Sequence, residues 1–188
     1  MADLGSARHW ARALQAQAVF DGAVCVDATA GNGADTLFLA EGAGSAGRVY
    51  AFDVQAAALD RTREKLESAG ILARVTLICA GHERMDEFVK GPADLIVFNL
   101  GWLPGGDKSV TTRTETTVEA LNRALSLLKT GGLLTVCVYP GHEEGVRELE
   151  AVGRWARELS GRTYQALRCG YENQPSSAPV LFAVSRLG

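Results

Sequence analysis

The stretch Asp27-Ala28-Thr29-Ala30-Gly31-Asn32-Gly33-Ala34-Asp35-Thr36 follows an apolar run and leads into a helix-forming segment. Two glycines at this spacing let the backbone turn tightly and come close to a ligand where a side chain would intrude, and the helix that follows adds free N–H groups. The next apolar run ends Tyr50-Ala51-Phe52-Asp53, so Asp53 stands 20 residues beyond Gly33. A carboxylate at the end of a second strand accepts hydrogen bonds from ribose hydroxyls. Strand, glycine turn, helix, strand and acid together predict a βαβ unit that holds an adenosine-type cofactor.

Outward from that unit, strand-length apolar runs alternate with helical patterns along nearly the whole chain, the signal of a mostly parallel sheet. A leading helix is expected over 6–20, strands over 23–28, 48–54, 75–80, 94–100 and 132–139, and helices over 55–69 and 118–128, stopped by Gly70 and by Gly131-Gly132. After a helix over 143–159 come two extended runs, 163–171 and 180–186, joined by only eight residues. A parallel crossover needs about a dozen residues or more, so these two strands are predicted to be antiparallel. The expected fold is α/β: a Rossmann-like, doubly wound sheet of seven strands, mostly parallel, with one antiparallel strand in a C-terminal hairpin. The ligand crevice then lies at the carboxyl ends of the parallel strands.

The length of 188 residues suits one domain spanning 1–188, and 47% hydrophobic with 22% charged residues describes a chain with a core and a polar surface. The net charge of −3 excludes a strongly basic nucleic-acid-binding domain, so any RNA contact must be local or pooled across subunits. We therefore expect a homodimer. Cys25, Cys79, Cys137 and Cys169 form no CxxC pair and are expected to be buried thiols in a reducing compartment, with no metal site. The first 20 residues hold no uninterrupted apolar segment, so neither a signal peptide nor a membrane span is expected, and the protein is placed in the cytoplasm.

Small differences select the cofactor. A dinucleotide fingerprint counted from Gly31 requires glycine at 36, where Thr36 stands. Asp27 instead begins the D/E-x-G-x-G-x-G pattern of class I S-adenosylmethionine methyltransferases, with Thr29 in place of the first glycine. A carboxylate lip at Asp27 suits the cationic amino group of a methionine moiety and repels a pyrophosphate. His82 and Glu83, after the third strand, either flank adenine or serve the start of a helix. A dehydrogenase using the same turn is the rival reading.

After the fourth strand comes Asn99-Leu100-Gly101-Trp102-Leu103-Pro104-Gly105-Gly106-Asp107-Lys108-Ser109. A phosphate loop is rejected here, because the lysine falls one place late and Asp107 intervenes. Asn99-x-x-Trp102 has the spacing of the N-P-P-Y/F motif of class I amino-methyltransferases, with Gly101 in place of a proline. Thr111 and Thr112 are read as caps of the next helix. His142, at the start of a helix, is either a proton relay or a solvated residue. Trp10 and Trp155 are read as packing residues, and Asn173-Gln174-Pro175 as the hairpin turn.

Taken together, Asp27-Ala-Thr-Ala-Gly-Asn-Gly-Ala-Asp-Thr, Phe52-Asp-Val-Gln, Gly81-His-Glu, Phe98-Asn-Leu-Gly-Trp-Leu-Pro-Gly-Gly-Asp-Lys and Tyr139-Pro-Gly-His-Glu-Glu-Gly resemble one class I methyltransferase family, catalogued as rRNA methylases. Its better-defined members methylate the 5-aminomethyl group of the wobble (2-thio)uridine in tRNA. The likeness runs from about Ser6 to the C-terminus. It implies S-adenosyl-L-methionine as cofactor, held by Asp27, Thr29, Gly31, Asn32, Gly33, Asp35, Thr36, Asp53, Gln55, His82, Glu83 and Asn99. It implies a tRNA anticodon stem-loop as partner. Asn99 and the Leu100 carbonyl would orient the amine, Trp102 would stack on its base, and Asp107 or His142 would take the proton.

Overall fold

The computed structural model describes residues 3–103, 105 and 110–188. Along the chain run α1 (Ala7–Ala18), β1 (Val24–Asp27), α2 (Ala34–Gly42), β2 (Arg48–Asp53), α3 (Ala56–Ser68), β3 (Val75–Cys79), α4 (Met85–Phe88), β4 (Ala93–Asn99), α5 (Thr114–Leu127), β5 (Leu128–Val138), α6 (Glu143–Glu158), β6 (Tyr164–Cys169) and β7 (Val180–Arg186). The sheet order is β3-β2-β1-β4-β5-β7-β6, and β7 alone runs against its neighbours. The expected doubly wound sheet with one reversed strand is what the chain forms. Among the described residues no helix is long and apolar enough to cross a membrane.

Strand alternation sorts the two faces. Val26, Phe52, Ile96, Phe98, Leu134 and Val136 point to one side, where Leu121 and Ala124 of α5 and Val152 and Trp155 of α6 cover them. Cys25, Val49, Leu95 and Val97 point to the other, against Leu39 and Ala40 of α2 and Leu66 of α3. Helix α1 completes that second face by packing Ala7 and Ala11 on Cys137 and Leu181, and the Gln15 amide donates to the Thr135 hydroxyl at 2.9 Å. Burying one such Leu, Val or Phe side chain contributes about 1.5–3 kcal/mol. The period of two also fixes where the strand-end polar residues go: Asp27 and Asn99 share the parity of Cys25 and Val97, so both face α2.

Several expectations are corrected. Helix α5 starts at Thr114, and it ends at Leu127 rather than at the glycine pair. Leu128 is wholly buried and pairs with Ala93, so the chain enters β5 early, and Gly131 (φ +79°) serves an irregularity in the β4–β5 register. Thr111 and Thr112 cap nothing, because the α5 cap position is Arg113 and it makes no side-chain cap bond. Cys25 and Cys137 are buried, and burial pushes both thiols up to about 12. Cys79, however, is exposed, since it ends the outermost strand β3. The hairpin turn is closed by Ala178 N–H to Pro175 C=O, two residues later than expected.

Candidate active site

Strands β1 and β4 are neighbours with crossovers leaving in opposite directions, and the crevice opens at their carboxyl ends. It is a cleft of ≈ 1030 Å³ lined from the turn after β1, the ends of β2 to β5 and the segment entering α5. Ordinary ligand pockets occupy about 300–1,000 Å³, so the space holds a cofactor and still admits part of a second molecule.

The glycine turn is tied down from two sides. Asp53 accepts the Gly31 N–H on Oδ2 and the Gln55 N–H on Oδ1, each at 2.9 Å, and the Thr62 hydroxyl donates to the Gly31 carbonyl at 3.1 Å. Gly31 (φ +54°) lines the cleft, and a Cβ there would come within 3.1 Å of Leu103 Cδ1. Gly33 (φ +73°) serves packing instead. A Cβ there would lie 2.8 Å from Thr62 Oγ1, so this glycine lets α3 approach and lies outside the cleft lining.

Asp27 is not a charged lip. Its carboxyl is wholly buried behind the turn, accepting the Thr29 N–H at 3.2 Å and the Thr36 hydroxyl at 2.6 Å, and neither Asp27 nor Thr36 lines the cleft. The parity of β1 aims it under α2. Burial, reinforced by the nearby Asp35 charge, raises its pKa from 3.8 to about 7. An acid raised in the folded state holds its proton more tightly there, so the fold loses stability as pH rises from about 4 to about 7. Asp27→Asn keeps an acceptor for Thr29 and offers an N–H to Thr36. We expect it to melt close to wild type at pH 4 and about 4–8 °C higher at pH 8, the equivalent of ~2 kcal/mol. Equal melting temperatures at pH 8, read by scanning calorimetry, would contradict the burial of a charge at Asp27.

The acid of this segment that faces the cleft is Asp35, in the first turn of α2. It pairs with Arg12 and Arg8, the latter at 3.4 Å, and accepts from Asn99 Nδ2 at 2.8 Å. The Arg12 guanidinium also lies 3.8 Å from the centre of the Phe38 ring. Because a carboxylate only accepts, it selects the orientation of the Asn99 amide: the NH₂ is committed to Asp35 and Oδ1 is left as the acceptor. The Asn99 backbone N–H donates to the Thr29 hydroxyl at 2.7 Å, which joins the reaction loop to the glycine turn.

Beyond Asn99 the chain turns at Gly101, with φ +127°, a value no proline adopts, so the loop departs from the path a proline would impose. Gly101 N–H donates to the Thr112 hydroxyl at 2.8 Å, and that hydroxyl donates to Glu148 at 3.0 Å. Glu148 is wholly buried and takes the Thr117 hydroxyl at 2.7 Å on its other oxygen; burial raises its pKa. Glu144, one turn earlier on α6, accepts both the N–H and the hydroxyl of Thr114. Two acids of one helix face thus hold the segment opposite the loop. Trp102 bridges to Thr111 and lies 4.3 Å, ring centre to ring centre, from His142.

Of the expected site residues, the fold brings Thr29, Gly31, Asn32, Asp35, Asp53, Gln55, His82, Glu83, Asn99, Leu100, Trp102 and His142 into one cleft. Asp107 lies outside the described residues. His82 is buried, hydrogen-bonded to the Ala28 carbonyl, and its pKa is lowered by burial, so it lines the cleft as a neutral ring. His142 is no ready proton acceptor at Nδ1, because that nitrogen takes the Gly145 N–H at 3.1 Å as the cap of α6. Arg8, Arg113, Thr111, Thr116 and Ser177 also line the cleft and were not expected there. Trp10 and Trp155 pack as expected, with indole N–H bonds to the Leu4 carbonyl and Asn122.

Comparison with known proteins agrees with this fold. The profile of the family described as "Putative rRNA methylase" matches residues 49–185. A curated protein of Arabidopsis thaliana, "tRNA (mnm(5)s(2)U34)-methyltransferase, chloroplastic", is 36% identical, the match covering 90% of this chain and 66% of that protein. The crystal structure of a "putative rRNA-methylase" from Clostridium thermocellum superposes with a TM-score of 0.96 at 38% identity, over 99% of this chain and all of the other. A "putative methyltransferase" from Streptococcus mutans, solved in complex with SAH, gives a TM-score of 0.89 at 34% identity over 98% of this chain and 100% of that one. With the family model matching residues 49–185, well over half of its length, the chain belongs to the family described as Putative rRNA methylase.

Proposed function

We propose that the protein is an S-adenosyl-L-methionine-dependent N-methyltransferase acting on tRNA, converting the 5-aminomethyl group of the wobble (2-thio)uridine to 5-methylaminomethyl-uridine. The observation that carries this reading is Asn99, whose amide oxygen is left as an acceptor at the cleft because Asp35 holds its NH₂. A primary amine is a nucleophile that such an acceptor orients. The relative from Arabidopsis thaliana, named as a methyltransferase of mnm(5)s(2)U34, supports the choice of amine.

The cleft fits the cofactor on its own chemistry. Gly31 leaves a cradle that a side chain would fill, and Asp53 stands at the end of β2 for the ribose hydroxyls. Thr29, Asn32, Asp35, Gln55, His82 and Glu83 surround the same space. When bound, the cofactor supplies an electrophilic methyl group on a sulfonium. The chain does the positioning: Asn99 Oδ1 and the Leu100 carbonyl accept the two N–H groups of a neutral amine, which leaves the nitrogen lone pair directed away from them. Desolvation in the cleft favours the neutral amine, and the two acceptors set its direction. The Asp35 network makes this arrangement rigid before the substrate arrives.

In this reading the partner is the anticodon stem-loop, whose wobble base leaves its stack to enter the cleft, and two copies of this acidic chain pool their basic residues. Arg113 is exposed at the rim, in position for a phosphate. We expect Arg113→Ala to weaken tRNA binding about 3- to 10-fold and to reduce the slope of log K against log salt by ~0.7–0.9, the loss of one phosphate contact. An unchanged slope in anisotropy titrations would remove Arg113 from the RNA surface. The function itself is tested by incubating the protein with S-adenosylmethionine and tRNA carrying 5-aminomethyl-2-thiouridine, followed by nucleoside mass spectrometry. Appearance of the methylaminomethyl nucleoside is expected; its absence would overturn the reading.

A further inference from the structure

The imidazole of His142 is used at one nitrogen only. Nδ1 accepts the Gly145 N–H at 3.1 Å, so the neutral ring carries its proton on Nε2. That Nε2 is buried and has no partner among the described residues, although buried polar groups are nearly always hydrogen-bonded, and His142 lines the cleft. Its place is beside the reaction loop: a Cβ built on Gly101 would come within 4.0 Å of Nε2, one residue from the Leu100 carbonyl. The Thr111 hydroxyl, across the bridge from Trp102, is also buried and unpaired among the described residues. Two orphaned polar atoms on the acceptor side of the cleft mark a place prepared for a ligand.

Resting on the substrate reading above, we infer that His142 Nε2–H is the donor that fixes the target base, through the O4 carbonyl oxygen of the uridine. In a 5-substituted uracil the carbon bearing O4 adjoins the carbon bearing the aminomethyl group. O4 is therefore the ring acceptor nearest to an amine held at Asn99 and Leu100. The Trp102 indole, 4.3 Å from the imidazole ring centre to ring centre, lines the same part of the cleft. His142 is then a specificity-determining donor and not the base that removes the proton. Capping α6 with Nδ1 is what keeps the Nε2 tautomer, so one hydrogen bond of the fold sets the polarity of the other.

Asn is among the best helix caps and places an acceptor near the position of Nδ1, while it carries nothing to the position of Nε2. His142→Asn is therefore expected to melt within about 2 °C of wild type and to bind S-adenosylmethionine normally. Its kcat/KM for aminomethyl-uridine tRNA should fall about tenfold, chiefly through KM, as expected for a contact made before and during the reaction. His142→Ala should show the same kinetic loss and melt lower, because the cap is gone. Wild-type kcat/KM in His142→Asn would overturn the inference, as would an activity loss that tracks melting temperature across the two variants. If the wild-type protein transfers no methyl group to this tRNA, the substrate reading fails; if it does and His142→Asn matches it, the role of His142 alone fails.

Discussion

Asn99→Ala is expected to lower kcat about 10²-fold while leaving S-adenosylmethionine affinity nearly unchanged. The side chain holds the acceptor amine rather than the donor, and Ala supplies no oxygen in its place. Because the contact aligns a lone pair with the reacting carbon, its loss appears in kcat, and a factor of 10² corresponds to ~2.7 kcal/mol. The rest of the network survives the change. Asp35 loses the 2.8 Å bond from Asn99 and keeps Arg8 and Arg12, and the bond from the residue-99 backbone N–H to Thr29 does not depend on the side chain. The variant should therefore stay folded and bind cofactor, which separates loss of chemistry from loss of structure. Single-turnover assays run beside a melting curve make the distinction, and a stable Asn99→Ala protein with full activity would remove Asn99 from the active site.

Asp53→Ala should act on the other substrate. The carboxylate anchors two backbone N–H groups, those of Gly31 and Gln55, and these bonds hold the glycine turn open as a cradle. Removing it takes away the ribose acceptor and leaves both N–H groups without their partner. Charge-assisted hydrogen bonds contribute about 1.5–3 kcal/mol each, so the combined loss lowers S-adenosylmethionine affinity by ~10²-fold or more. Asp53→Asn, which retains one acceptor, should fall between the two. Titration calorimetry with S-adenosylmethionine, and with NAD as the control for a dehydrogenase, reads this directly. Wild-type affinity in Asp53→Ala would sink the assignment of the cofactor site.

How much of this was legible beforehand follows from the range over which each interaction acts. Strand-length apolar runs such as Leu95-Ile96-Val97-Phe98, the glycines at 31 and 33, and the short link before β7 are local signals, and they determined the doubly wound sheet, the reversed strand and the position of the cleft. They also set Asp53 and Asn99 at strand ends, since a change from apolar to polar marks where a strand leaves the core. Boundaries were lost where tertiary burial outweighs turn chemistry, as at Leu128, which enters β5 ahead of the glycine pair.

The roles of individual polar groups were decided only by packing. Asp27 and Asp35 look equally exposed in the sequence, but strand parity sends Asp27 under α2 while the first turn of that helix presents Asp35 to the cleft. Arg8 and Arg12 reach Asp35 from a helix 23 or more residues away, and Thr112 reaches Glu148 across 36. Nothing in the local period of the chain encodes such pairs, because they depend on how separate layers dock. The choice of Oδ1 as the free atom of Asn99 and of Nε2 as the proton-bearing atom of His142 belongs to the same class: each is dictated by one neighbour, Asp35 or Gly145, brought there by the tertiary structure. The sequence alone determined the glycine turn and the strand-end residues that stand at the cleft, and the three-dimensional packing added Arg8 and Arg113, withdrew Asp27, Gly33 and Thr36, and decided which atoms are left to act.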